Sequence, residues 1–150
     1  MLLIERDLRQ VARKDYMRFD GAPQAANLAV SAIKAADFVL IPVQPSPYDI
    51  WVTADLFELV KQRIEGTGGR LQAAFVVSRA IKGTRISGEV TEALAGYGLL
   101  ILASHITQRL SYPGITAAGA TVMESKPDGD AAAGIRALAN WGSAKTYLRI

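Results

Sequence analysis

The chain has 150 residues, half of them hydrophobic and 21% charged, which is the composition of one globular domain and not of a disordered chain. The absence of cysteine excludes a disulfide scaffold, a thiolate zinc site and a thiol nucleophile, and a single histidine excludes a histidine-rich metal site. The net charge of +3 permits a polyanionic partner without requiring one. No apolar run is long enough to span a membrane, so we expect a cytoplasmic protein with no membrane partner.

Segments with strand and helix periodicity alternate along the chain. We predict strands over residues 16–20, 37–43, 71–78 and 99–102, and helices over residues 2–11, 24–34, 50–64 and 87–97. A last helix, capped by Asp128 or Asp130, is predicted to run through Asn140. Residues 44–48 (QPSPY) are predicted to form a loop, with Asp49 capping the next helix. Residues 107–118 are ambiguous because Pro113 and Gly114 interrupt them.

This alternation predicts the fold class, because strands separated by helices form right-handed βαβ crossovers. We expect a single α/β domain over residues 1–150, with a three-layer, mostly parallel sheet and helices on both faces. The strands at 37–43 and 71–78 are continuously apolar, so both are predicted to be buried on both faces at the sheet centre.

Asp20 follows a predicted strand and precedes Gly21, a position where ligands bind in open α/β sheets. An aspartate there could hold Mg²⁺ through water, but Asp-Gly is also a common turn. His105 has no evident acidic partner in sequence and is interpreted as a structural or surface residue.

No acidic residue occurs between Glu65 and Glu89, but this stretch contains four basic residues. They are Arg70, Arg79, Lys82 and Arg85. Arg109 follows later, beside Gln108 and near Ser111, whose side chains can also donate to phosphate oxygens. A solvated face and a phosphate-binding surface both fit this pattern. Aromatic residues are scarce here, so any nucleic-acid binding would be to the backbone and independent of sequence.

Four segments together resemble the ParA-type plasmid and chromosome partition ATPases of the MinD/ParA P-loop superfamily. They are residues 20–23 (DGAP), 35–49 (AADFVLIPVQPSPYD), 106–109 (ITQR) and 118–124 (AGATVME). The resemblance extends in unbroken order from about residue 15 to about residue 138. It implies a P-loop NTPase fold, ATP and Mg²⁺ as cofactors, and a cytoplasmic, nucleoid-associated protein.

The resemblance also assigns roles to residues. Asp20, with Gly21, would be the Walker B position, holding Mg²⁺ through water when nucleotide is bound. Pro45, Ser46, Pro47, Tyr48 and Asp49 would form a loop near the nucleotide and the dimer partner. The resemblance implies non-specific DNA binding through basic residues in the later half of the chain, and the charge distribution makes Arg79, Lys82, Arg85 and Arg109 the candidates. A centromere-binding protein and other ParA-type subunits would be partners. A MinD-like membrane helix has no clear match in residues 140–150.

Two departures from the family pattern shape the functional expectation. The 150 residues contain no K-G-G-x-x-K-[ST] segment, the P-loop that cradles the phosphates. Arg18 replaces an apolar residue of a central strand, where an unpaired guanidinium would be costly to bury. We therefore expect an N-terminally truncated ParA-like chain, incomplete at its N-terminus, with residues 16–20 displaced or at a sheet edge that invites self-association.

Four functional readings follow from this. The first is a partition protein that cannot hydrolyse ATP alone. The second is a partition ATPase whose P-loop lies outside this chain. The third is a regulatory or interaction remnant that associates with full-length ParA-type subunits, and the fourth is a gene remnant without activity.

Overall fold

The computed structural model describes residues 26–81, 86–109 and 111–146, and within them the side chains of residues 29–81, 88–109 and 112–140. The expectations for residues 2–11 and 16–20, including Arg18, lie outside the described residues. So do Asp20, Gly21, Lys82 and Arg85.

Strands and helices alternate as the sequence predicts up to residue 101, whereas the strand at residues 106–107 and the helix at residues 122–125 were not predicted. The helices are α1 Ala26–Ala35, α2 Pro47–Gly66, α3 Ile86–Ala95, α4 Ser111–Ala117, α5 Val122–Ser125 and α6 Asp130–Thr146. The strands are β1 Phe38–Val43, β2 Gln72–Ala80, β3 Leu100–Ile101 and β4 Ile106–Thr107. No helix in the described ranges is long and apolar enough to cross a membrane.

The described residues form two compact units. The first contains residues 26–39 and 54–73, and the second contains residues 40–53 and 74–146. Buried apolar side chains of the first unit include Ile33, Phe57, Val60 and Leu71. Those of the second include Ile41, Val43, Phe75, Val90, Leu94 and Leu102. Each unit therefore has apolar side chains removed from water.

The strands form an open, mostly parallel sheet with β2 at its centre, which confirms the predicted α/β class. β2 pairs in parallel with β3, where Ala74 lies opposite Leu100, and with β4, where Ser78 lies opposite Ile106. β1 is the neighbour of β2 on the other side. The Gln72 N–H donates to the Asp37 carbonyl at 3.1 Å, so β1 and β2 begin at the same edge of the sheet.

Burial along β2 agrees with the prediction, whereas burial along β1 does not. The run Ala74, Phe75, Val76, Val77 is at most 1% exposed, so both faces of β2 are covered. In β1 the side chains alternate, with Ile41 and Val43 buried but Leu40 39% exposed. The prediction that residues 37–43 are buried on both faces is therefore wrong. A continuous apolar sequence permits double burial but does not supply the second covering layer.

Helix α2 begins earlier than the sequence indicates, at Pro47 instead of Ile50. Its first helical hydrogen bond runs from the Ile50 N–H to the Ser46 carbonyl at 3.2 Å. Proline suits the first helical position, because its fixed φ is helical and no partner is needed there for the N–H it lacks. The predicted loop is therefore shorter, residues 44–46. The interpretation of Asp49 as the N-cap is wrong, since it is the third residue of the helix.

The later elements resolve the remaining ambiguities. Residues 107–118 contain the end of β4 and all of α4, with Pro113 accommodated in the first turn of that helix. The last helix begins at Asp130 and extends past Asn140 to Thr146. Its first helical hydrogen bond runs from the Ala133 N–H to the Gly129 carbonyl at 3.0 Å, so the prediction that Asp128 or Asp130 is the N-cap is wrong. Before α5, the N–H and hydroxyl of Thr121 both donate to the Glu124 carboxylate, at 2.8 and 2.9 Å. The backbone bond and then the hydroxyl bond hold the pKa of Glu124 below its usual value.

Candidate functional site

The carboxyl ends of β1, β2 and β4 lie at one edge of the sheet, which we call the carboxyl edge. The proline loop of residues 44–46 follows β1, Arg79 is the penultimate residue of β2, and Arg109 follows β4 by two residues. Ala80 lies opposite Thr107, so β2 and β4 end together. In open α/β sheets, ligands bind outside this edge. The fold thus places part of the predicted loop and two predicted basic residues at the edge where ligands are expected.

The proline loop is fixed by hydrogen bonds of its own. The Gln44 N–H donates to Asp49 Oδ2 at 2.9 Å, and the Ser46 N–H donates to the Gln44 carbonyl at 2.7 Å. The Thr53 hydroxyl donates to the Asp49 carbonyl at 2.7 Å. Asp49 therefore holds the start of the loop against the first turn of α2. Its carboxylate is a positioning group for the loop.

An exposed apolar cluster stands at the start of α2, immediately after the loop. Tyr48, Trp51 and Val52 are 74%, 68% and 79% exposed, and we call them the aromatic cluster. The rings of Tyr48 and Trp51 meet edge to face, with centroids 5.6 Å apart. Sequence reasoning named Tyr48 but missed Trp51 and Val52. The signal was available, because residues three and four positions after Tyr48 lie beside it on a helix.

Arg79 occupies an irregular position in the central strand. The pairing of β2 with β4 shifts between Ser78 and Ala80, so Arg79 is the extra residue of a β-bulge. Its φ is +54°, and among the described residues no other non-glycine residue has a positive φ. A left-handed backbone costs an L-residue about 1–2 kcal/mol. Its side chain is exposed, so the bulge presents a cation to solvent at the carboxyl edge.

Arg109 is held by two side chains. Its Nε donates to Thr107 Oγ1 at 3.0 Å, and its Nη2 donates to Asp130 Oδ2 at 3.1 Å. The Arg109 side chain is 31% exposed and that of Asp130 is 75% exposed. Sequence reasoning identified Arg109 but not its acidic partner, because the two are 21 residues apart. The positive charge of Arg109 is therefore partly compensated, whereas Arg79 has no ion-pair partner within the described ranges.

A cleft of about 210 Å³ adjoins Arg109, between the end of β4 and the start of α6. Its lining includes His105, Thr107, Tyr112, Asp130 and Gly134. His105 is half-buried and has no carboxylate ion-pair partner among the described residues. The cleft gathers the Arg109 guanidinium, the Asp130 carboxylate and further side chains that can donate hydrogen bonds.

The remaining predicted site residues, Asp20, Gly21, Lys82 and Arg85, lie outside the described residues, so their roles stay predictions. Within the described ranges, no group of three or more histidine or acidic side chains is arranged to hold a metal ion. The described part of the carboxyl edge carries two arginine side chains, and one of them, Arg109, is paired with Asp130.

Comparisons with known proteins give a distant relationship. No family model matches the chain. It is 25% identical over 113 residues to the protein named Maintenance of carboxysome distribution protein A of Halothiobacillus neapolitanus. The match covers 74% of this chain and 52% of the relative, so the chain spans about half the length of that protein. This similarity supports the ParA-like relationship indicated by the sequence motifs.

The backbone at Arg79 gives a stability prediction. Both Arg79→Gly and Arg79→Ala remove the charge, but glycine adopts a positive φ without strain. We expect the glycine variant to be the more stable by about 1 kcal/mol in urea denaturation.

Gln72, an exposed residue of the same strand, provides the control. There the order should reverse, with Gln72→Gly less stable than Gln72→Ala by about 0.5–1 kcal/mol. An alanine variant at position 79 as stable as the glycine variant would contradict the left-handed bulge.

Proposed function

We propose that this chain is a ParA-like positioning or partition protein that binds DNA without sequence preference and does not hydrolyse ATP on its own. The four resembling segments and the distant sequence similarity to a carboxysome distribution protein support the ParA-like part. The cargo is plasmid or chromosomal DNA, recognised through a centromere-binding partner. A protein body is the second candidate, favoured by the name of the relative.

The observation that carries the DNA-binding part is the placement of Arg79 and Arg109 at the ends of two adjacent parallel strands. Guanidinium groups form paired hydrogen bonds with phosphate oxygens. In sequence, Lys82 and Arg85 follow Arg79 within six residues, in the stretch that lacks acidic residues. Four cations with few aromatic neighbours suit the phosphate backbone and not the bases.

The nucleotide part of the proposal rests on Asp20 and Gly21 in the Walker B position of the resemblance. Asp20 would hold Mg²⁺ through water, and the magnesium would neutralise the charge of the nucleotide phosphates. The 150 residues contain no P-loop segment to cradle those phosphates. ATP and Mg²⁺ binding therefore require a P-loop supplied from outside these residues. A chain that only regulates other ParA-type subunits is the alternative.

The aromatic cluster supports association with a second ParA-type subunit, a second copy of this chain included. Tyr48, Trp51 and Val52 expose a contiguous apolar surface on one helical turn, beside the loop that the resemblance assigns to the dimer partner. Exposed aromatic residues of this kind are typical of protein interfaces. The hydrogen bonds of Asp49 fix the loop, so the cluster is presented on an ordered support.

DNA binding is tested by titrating random-sequence duplex DNA at several low salt concentrations. We expect affinity to fall with salt, each phosphate contact adding about 0.9 to the log–log slope. Arg79→Glu should weaken binding and reduce that slope. Arg70→Glu is the matched control, because Arg70 is exposed and precedes the amino end of β2. Equal effects of the two reversals would contradict the carboxyl edge as the DNA site, and strong sequence dependence would contradict backbone binding.

ATP turnover is tested with the purified chain and Mg²⁺. We expect no turnover, because Asp20 cannot replace the missing phosphate cradle. The measurement is phosphate release, with Asp20→Ala as the comparison. Magnesium-dependent turnover that is lost in Asp20→Ala would show a working nucleotide site within these residues and would refute this part of the proposal.

Association is tested by light scattering and sedimentation over a range of protein concentrations. We expect the chain to self-associate. Trp51→Ser should weaken association by at least about tenfold, since a tryptophan that becomes buried in an interface is a typical hot spot. Leu59→Ser serves as control, because Leu59 is 38% exposed on the same helix but lies two turns beyond the cluster. A monomeric wild type, or equal effects of both substitutions, would rule out the cluster as the interface.

A further inference from the structure

The cleft beside Arg109 has the composition of a small anion site. Arg109 contributes the cation, while Thr107, Tyr112 and His105 contribute a hydroxyl, a phenol and an imidazole. These groups come from β4, from the segments flanking it and from α4, so the fold brings them together from separate positions in sequence. At about 210 Å³ the cleft has room for one phosphate group but not for a large ligand.

The described residues of the free protein engage only some of the hydrogen-bond donors of Arg109. A guanidinium has five N–H donors in a fork that matches two oxygens of one anion. The described residues engage two of these donors, one with Thr107 and one with a single oxygen of Asp130. The contact with Asp130 is a single hydrogen bond of 3.1 Å and not a paired one. Arg109 can therefore bind an anion more fully than it binds Asp130.

The Asp130 carboxylate can be displaced from Arg109 at little cost. Its side chain is 75% exposed, and ion pairs at such exposed positions contribute little to stability. Asp130 is the first residue of the 17-residue helix α6, where the helix dipole favours negative charge. An anion that takes the place of its carboxylate beside Arg109 meets the same favourable electrostatic environment.

We propose that this cleft is a phosphate-binding subsite and that the Asp130 carboxylate occupies the ligand position in the free protein. The phosphate is a phosphodiester of DNA or a free phosphate. For the first source the inference rests on the proposed DNA binding. Asp130 then acts as an internal competitor. Arg109 contacts DNA after a phosphate displaces Asp130, and the Thr107 hydroxyl keeps the guanidinium oriented during the exchange.

The test compares Asp130→Asn with Asp128→Asn. Both substitutions remove one exposed negative charge, two residues apart, but Asp128 forms no ion pair in the described structure. We expect Asp130→Asn to tighten binding of random duplex DNA about two- to fivefold more than Asp128→Asn does. The log–log salt slope should stay the same, because Arg109 neutralises the same phosphate in both proteins once DNA is bound. Adding Arg109→Gln should cancel the tightening and reduce the slope by about 0.9.

A second arm uses inorganic phosphate without DNA and follows the NMR signals of His105 and Tyr112. Saturable shifts that are larger in Asp130→Asn than in Asp128→Asn support the subsite. They do so even if no variant binds DNA, a result that would overturn only the proposed DNA binding. If DNA binds and Arg79→Glu weakens it, but the two asparagine variants behave alike in both arms, the subsite is overturned and the DNA-binding proposal stands. Binding of neither DNA nor phosphate overturns both.

Discussion

The parallel pairing of β2 on both sides, with water excluded from both faces between Ala74 and Val77, is the constraint on which the rest of the sheet depends. A strand so buried must satisfy its backbone groups through neighbouring strands, because water cannot reach them. Those neighbours run parallel to it, so the segments that follow β1, β2 and β4 emerge together. The carboxyl edge is a consequence of that pairing, and the two arginines lie there because of where their strands end.

The bulge at Arg79 shows how this constraint is relaxed at one point. With regular pairing, successive side chains of β2 would continue to point to opposite faces of the sheet through the last residues of the strand. The extra residue instead takes a left-handed backbone and its side chain is exposed. Strain of about 1–2 kcal/mol at a non-glycine residue persists only where the surrounding pairing imposes it. Strand pairing on either side of the bulge imposes this backbone, with Ser78 opposite Ile106 and Ala80 opposite Thr107.

The sequence predicted the elements well because most of their signals are local. The apolar run of β2, the glycines after α2 and the alternation of strands with helices each act within a few residues. It failed where the answer depends on distant parts of the chain. Whether β1 is covered on its second face depends on another layer, so Leu40 could not be placed from its neighbours. The Arg109–Asp130 ion pair spans 21 residues and leaves no local pattern. The prediction of where α2 starts failed for another reason, since Pro47 fits both a loop and a first helical turn.

The two arginines at the carboxyl edge differ in how their charge is balanced, and this difference orders their proposed roles. Arg79 is exposed and has no ion-pair partner in the described structure, so its field extends into solvent and attracts a polyanion at long range. Arg109 is partly neutralised by Asp130, and its attraction acts only at short range. Under the proposed DNA binding, the DNA backbone would therefore be drawn first toward Arg79. Phosphates held there would repel the exposed Asp130 carboxylate and weaken the ion pair that restrains Arg109. In the proposed order of contacts, Arg79 would thus bind DNA before Arg109.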